Sequence, residues 1–236
     1  MKEYIKKLYN KSKLSYFKEM DLWVRKEKFK IIVTVNPETL MLSEKNESLN
    51  NLLNDDSVSL VADGIAVVKA SKWVGYPVKE RITGIEISEE LLNIADKNKY
   101  SLYLFGAKKE VLDSLVDKIK SNYSNIKLVG YSDGYVKDKD KVMMQAIKLK
   151  PDILLIALGI PMQEELIYKY KNQFKKGIVV GVGGSFDVLS GMKKRAPKLF
   201  IKLNLEWLYR IIKEPSRLKR FWNSNIKFVF KIRKEK

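Results

Sequence analysis

Six short runs of β-branched and aliphatic residues alternate with longer stretches of helical period. They predict an α/β fold: a mainly parallel, Rossmann-like sheet flanked by helices, with a basic amphipathic helical appendage at the C-terminal end. Two further observations support this. The runs are apolar throughout rather than alternating, the pattern of strands covered on both faces. After about residue 191 the chain becomes strongly basic while keeping helical spacing.

The candidate strands are KIIVTV (30–35), VSLVA (58–62), SLYLF (101–105), IKLVGY (126–131), DILLIAL (152–158) and GIVVGV (177–182). Most are separated by helical segments, such as 108–123, where apolar residues recur at 111/112, 115/116 and 119. In the last 45 residues, 15 Lys and Arg face only 3 Glu, so most of the net charge of +18 lies there. Leu199, Leu203, Trp207 and Ile211 mark one helix of this tail. Pro215 suits the first turn of a second, which carries Leu218, Phe221 and Trp222. The chain is therefore read as an α/β core over 1–191 and an appendage over 192–236.

Composition narrows the chemistry. The chain has 236 residues, 45% of them hydrophobic, with no cysteine and no histidine. A disulfide framework, a Cys/His zinc site, a thiol nucleophile and a histidine base are all excluded. Acid–base work falls to Asp, Glu, Lys or Tyr. The positive charge predicts an anionic partner: a phosphorylated substrate, a membrane surface or nucleic acid. The opening MKEYIKKLYNKSKLSYFKEM shows no apolar signal core, and no apolar run approaches the roughly 18 residues of a spanning helix. A cytoplasmic protein that can touch a membrane is expected.

The polar exceptions fall just past the carboxyl ends of the predicted strands: Asn36, Asp63, Gly106, Asp133–Gly134, Gly159–Gln163 and Gly183–Gly184–Asp187. In a parallel sheet those ends share one edge, where ligands bind. Each also has a structural reading. Asn36 before Pro37, and Asp63 before Gly64, are good helix caps. GVGGSFD (181–187) is either a turn or a cradle of backbone N–H groups for phosphate or ribose. It is not the G-x-G-x-x-G fingerprint, which argues against a nucleotide-cofactor oxidoreductase. KDKDK (137–141) contains Asp-x-Asp but reads as a solvated cap. Arg81, Gly84 and Glu86 in ERITGIE read, by spacing alone, as surface or a salt bridge. A nucleic-acid module is disfavoured because no helix-turn-helix, RRM or zinc signature is present.

Taken in series, TVNPETL (34–40), ADGIAVV (62–68), ERITGIE (80–86), LYLFGA (102–107), GIPMQEE (159–165), GVGGSFDVLSG (181–191) and RAPKLFIKLNLEWLYRIIKEPSRLKRF (195–221) resemble the WecG/TagA/CpsF glycosyltransferases, glycosyltransferase family 26. The resemblance spans roughly residues 30–222. It departs at the N-terminal edge, where the usual first short strand segment is missing, and at Ala66, where a second glycine is common. It implies an inverting, metal-independent transfer from a UDP-sugar to a polyprenyl-diphosphate-linked acceptor of GlcNAc type, for teichoic acid, capsule or exopolysaccharide. By the same resemblance Asp63 is the general base, and Thr34, Asn36 and Gln163 belong to the donor-sugar pocket. Gly183, Gly184 and Asp187 belong to the UDP pocket, and Arg81 to the substrate-binding set. Arg210, Arg217 and Arg220 match the catalytic arginines of the appendage, which docks on the membrane and closes the site. No cofactor is expected. An anionic membrane surface on the cytoplasmic side and a second copy of the chain are candidate partners. N-acetylmannosamine is the first expectation for the donor sugar, because Thr34, Asn36 and Gln163 are neutral. Glucose, glucuronate and N-acetylmannosamine uronate are the alternatives.

Overall fold

A computed structural model describes residues 1–235. Strands β1 (Lys30–Val35), β2 (Val58–Ala62), β3 (Ser101–Gly106), β4 (Lys127–Ser132), β5 (Ile153–Ala157) and β6 (Ile178–Gly181) form one sheet in the order β2-β1-β6-β5-β3-β4. Every pairing is parallel. Each strand lies within a residue or two of its expected run, and all six carboxyl ends share one edge.

The apolar runs are explained by two cores. Side chains alternate across a strand, so Ile31, Val33 and Val35 enter one core and Ile32 the other. β5 divides likewise, with Leu154 and Ile156 on the first side and Ile153 and Leu155 on the second. Helix Gly84–Asn98 covers the second face with Ile87, Leu91 and Leu92. Its start is fixed by a capping box, in which Thr83 and Glu86 exchange side-chain and backbone hydrogen bonds. At the outer edge of β2, Leu8 forms a single parallel bridge to Leu60 and the Tyr9 N–H donates to the Leu60 carbonyl at 2.8 Å. That bridge stands where the resemblance lacks a strand segment.

The tail differs from its simple two-helix pattern. The spacing of Leu199, Leu203, Trp207 and Ile211 predicts one helix, but the chain breaks into Lys198–Lys202 and Glu206–Lys213 around Asn204, whose φ is 59°. Asparagine tolerates this left-handed conformation better than most residues. Helix Arg217–Phe221 continues through a wider π turn, Trp222–Ile226, into helix Lys227–Lys234. This last segment is not a free amphipathic face. Phe228 and Ile232 are fully buried in the first core, against helices Pro37–Ser43 and Ile65–Trp73. The Arg233 guanidinium lies 5.0 Å from the centre of the Trp73 ring, and the Met1 ammonium pairs with Glu235 at 3.4 Å. Helix Lys227–Lys234 and Glu235 are thus tied to the core and to Met1, and the segment before them is held across the carboxyl edge of the sheet.

Phe228 anchors this arrangement. Phe228→Ala is expected to lower the unfolding free energy by about 3–5 kcal/mol, read as a lower urea midpoint. A loss under 1 kcal/mol would show that the segment is only loosely seated.

Candidate active site

The chain between the strands delivers a few polar groups to one place. The Asp63 N–H donates to the Val35 carbonyl at 2.9 Å, and the Ile82 N–H to the Ala62 carbonyl at 2.9 Å. These bonds tie the exits of β1 and β2 to the 80–83 connection and set Asp63 among Asn36, Gly84 and Arg81. From β5 and β6 the chain contributes Gly159, Gln163 and Gly181–Asp187. The tail covers them with Trp207, Arg210, Arg217 and Arg220. The result is a cavity of about 670 Å³ with a smaller chamber of about 210 Å³ beside it. Asn36, Asp63, Glu206 and Arg210 line both.

Ten of the eleven expected site residues line the larger cavity: Thr34, Asn36, Asp63, Gln163, Gly183, Gly184, Asp187, Arg210, Arg217 and Arg220. Arg81 faces the smaller chamber instead. The ends of β3 and β4 do not contribute. Ala107 donates its N–H to the Ala157 carbonyl at 2.9 Å and accepts from the Gly134 N–H at 2.7 Å, so these two ends close on each other. Asp133 is used within its own turn, accepting from the Tyr135 N–H at 2.8 Å. In KDKDK, Asp138 caps helix Lys139–Leu149, and Asp140 pairs with Lys169 at 2.8 Å.

Several side chains already have work inside the protein. Asn36 caps helix Pro37–Ser43: its Oδ1 accepts from the Thr39 N–H at 3.0 Å, and Thr39 Oγ1 accepts from the Asn36 N–H at 3.2 Å. Asp63 makes no such cap; the N-cap position falls on Gly64, with no side-chain bond. Gln163 is buried, and its Oε1 accepts from the N–H groups of Gly159 at 3.2 Å and Gly183 at 3.1 Å. A β-carbon at Gly181 would lie 2.4 Å from Gln163 Nε2, so only glycine lets that carboxamide cross the strand end. Gly183, at φ +49°, then turns its N–H onto Gln163. The expected backbone cradle is therefore altered: the Gly183 N–H is spent on Gln163 rather than open to an anion.

The charges are arranged as pairs. Arg210 donates to Glu206 at 2.6 Å, Arg217 to Glu214 at 2.6 Å and Arg220 to Glu38 at 2.6 Å. Arg81 donates to the other oxygen of Glu206 at 3.4 Å. Burial raises the Asp63 carboxyl above the usual carboxylate range; the Arg210 and Arg81 guanidinium groups oppose that rise, and the Glu206 charge adds to it.

Reading by residue type overlooked two buried acids in this cavity, Glu164 and Glu206, and also Arg195. Glu206 carried a faint signal as one of three acids in the basic tail. Glu164 carried none, since at the start of helix Met162–Tyr170 it looks like an ordinary first-turn acid. Yet it is buried, its Oε1 accepts from Gln163 Nε2 at 2.7 Å, and its Oε2 has no partner among the described residues. Burial pushes its carboxyl up to about 7.

A parallel α/β sheet whose carboxyl edge gathers a buried carboxylate, several arginines and a roofed cavity has the architecture of an enzyme that handles an anionic ligand. The particular family follows from comparison with known proteins. Residues 7–236 match the model of the Glycosyl transferase WecG/TagA/CpsF family, and the chain belongs to that family. It is 45% identical over 190 residues to the N-acetylglucosaminyldiphosphoundecaprenol N-acetyl-beta-D-mannosaminyltransferase of Bacillus subtilis (strain 168), covering 80% of this chain and 74% of that protein. Proteins with the same name in Bacillus spizizenii (strain ATCC 23059 / NRRL B-14472 / W23) and Staphylococcus aureus (strain MW2) are 41% and 40% identical. They cover 80% and 87% of this chain, and 73% and 80% of their own lengths.

Glu164 makes a pH-dependent prediction. The folded protein holds this proton more tightly than the unfolded chain, whose carboxyl titrates near 4.5. The ionised side chain therefore costs stability above about pH 7, and the cost is relieved as pH falls toward 4.5. Glu164→Gln should stabilise the fold at pH 8 by about 3 kcal/mol and give little gain at pH 5, measured by urea unfolding at both values. An equal effect at the two pH values would refute the assignment.

Proposed function

We propose that this chain is an inverting glycosyltransferase that moves N-acetylmannosamine from UDP-N-acetylmannosamine to GlcNAc-diphosphoundecaprenol, in the synthesis of a cell-surface polymer of teichoic acid type. The observation that carries this reading is the position of Asp63 where the two chambers meet, with arginines around it. The names of the relatives supply the acceptor and the sugar.

The reaction is one displacement. The donor lies in the larger cavity and the acceptor sugar enters from the smaller chamber. An acceptor hydroxyl gives its proton to the Asp63 carboxylate and attacks the anomeric carbon. The bond from that carbon to the diphosphate oxygen breaks, and UDP leaves with the electron pair. Arg217 and Arg220 exchange their glutamate partners for phosphate oxygens, to which guanidinium forks are well matched, while Arg210 faces the same cavity from its pair with Glu206. These arginines take the part a metal would otherwise play, so the reading includes no metal.

The acceptor is a lipid, so the enzyme works at a membrane. No helix among the described residues is long and apolar enough to cross one. The tail exposes Leu199, Leu203, Ile212, Leu218 and Trp222 beside its lysines and arginines. This mixture suits peripheral attachment to the anionic cytoplasmic leaflet.

Two assays test this. With a lipid-diphosphate-GlcNAc acceptor, UDP-N-acetylmannosamine should outperform UDP-glucose, UDP-glucuronate and the uronate of N-acetylmannosamine. EDTA should leave turnover unchanged, and Asp63→Asn should lower kcat by about 10²–10⁴-fold. Wild-type turnover by Asp63→Asn would remove the base, and reversible loss in EDTA would remove the metal-free route. In the second assay, the full chain should sediment with vesicles containing anionic lipid but not with neutral ones, and salt should weaken that binding. Equal binding to both vesicle types would overturn the electrostatic attachment.

A further inference from the structure

Glu206 is one of very few acids in the most basic part of the chain, and it is buried. Its two oxygens hold arginines of different origin: Oε1 accepts from Arg210 of its own helix at 2.6 Å, and Oε2 from Arg81 of the core at 3.4 Å. All three line the chamber that Asp63 also faces. We propose that Glu206 is a positioning residue that makes Asp63 an effective base only when the C-terminal segment is docked, by keeping Arg81 and Arg210 from pairing with the Asp63 carboxylate.

The inference deepens the reading of Asp63 as the base and rests on it. With the segment docked, two acids and two guanidinium groups share the chamber, and each arginine has a carboxylate other than Asp63. If the segment lifts, Glu206 and Arg210 leave together, because they are on one helix. Arg81 remains, and its nearest anion becomes Asp63. A carboxylate beside an unshared arginine becomes a weaker base by about 1–3 pKa units. The charged groups facing Asp63 are Arg210, Arg81 and Glu206, together with the Gly84 backbone N–H of helix Gly84–Asn98. Glu38, on the adjoining helix Pro37–Ser43, is engaged by Arg220.

The arrangement has a chemical use. Water attacking a bound UDP-sugar needs a base as much as an acceptor hydroxyl does. A base that strengthens only under the docked segment guards the donor against hydrolysis in the open enzyme.

The experiment compares pH–rate profiles of the full-length enzyme, Asp63→Asn, Glu206→Gln, Glu206→Asp and the double variant Glu206→Gln/Arg81→Gln, after a thermal melt establishes that each folds. The rate should rise with pH through an acid limb set by Asp63. In Glu206→Gln that limb should move down by about one pH unit and the plateau kcat should fall roughly ten-fold. Glu206→Asp, which keeps the charge, should leave the limb where the wild type has it. The double variant removes one of the two guanidinium groups that Glu206→Gln frees and leaves Arg210 unpaired, so its limb should lie between those of Glu206→Gln and the wild type. A lower plateau with an unmoved limb in Glu206→Gln would reduce Glu206 to a structural support and overturn the proposal. If Glu206→Gln does not fold, a limb in the double variant that coincides with the wild type would do the same, because Arg210 is unpaired there. Asp63→Asn turning over at the wild-type rate is a separate failure: it removes the base itself, and the positioning role with it.

Discussion

The site depends on the C-terminal segment being held across the carboxyl edge of the sheet, and two kinds of interaction divide that task. Phe228 and Ile232 bury apolar surface in the first core, which supplies most of the free energy but little direction. The ion pairs supply direction. Arg220 reaches Glu38 on the core, and Glu206 reaches Arg81. Taking Glu206 out of water is costly unless both its oxygens are satisfied, and two arginines satisfy them. The buried pair therefore fixes the register in which the segment docks.

The pairing also changes the meaning of the net charge. A total of +18 suggests a cavity flooded with positive potential. Instead Arg210, Arg217 and Arg220 are each matched to a glutamate. The pairs are unequal, however. Those of Arg217 and Arg220 are largely exposed, and such pairs contribute only about 0–1 kcal/mol, so a diphosphate can displace the carboxylates at little cost. The pair of Arg81 with Glu206 is mostly buried and resists exchange. Two arginines are thus free to follow the leaving group, while the charges around Asp63 stay in place.

Much of this was legible in the sequence. Apolar runs marked the strands because a doubly covered parallel sheet needs them, although β4, at one edge, has no fully buried residue. Polar residues after β1, β2, β5 and β6 marked the rim of the cavity. What residue type could not convey was partnership. Gln163 reads as a ligand contact, yet its Oε1 binds two backbone amides, because Gly181 lets it cross the strand end. Arg81 reads as surface, yet it is enclosed by a glutamate 125 residues away. The tail reads as one amphipathic helix before Pro215, and Asn204 breaks it. Long-range pairing of this kind leaves no local pattern, so neither Glu206 nor Glu164 stands out along the chain.

The surroundings of Asp63 and Glu164 also show why Asp63 is the better candidate for the base. Both are raised by burial, but their compensation differs. Asp63 has two guanidinium groups and the Gly84 amide to favour its ionised form. Glu164 has one carboxamide hydrogen bond, an unpartnered oxygen and the charges of Glu165 and Glu38 against it. Environments that separate two acids in this way tend to separate their roles. A carboxylate whose charge is faced by two guanidinium groups can take a proton from an attacking hydroxyl. One poised near 7 and bonded to Gln163 is better placed to hold the loops of β5 and β6 together than to share in the transfer.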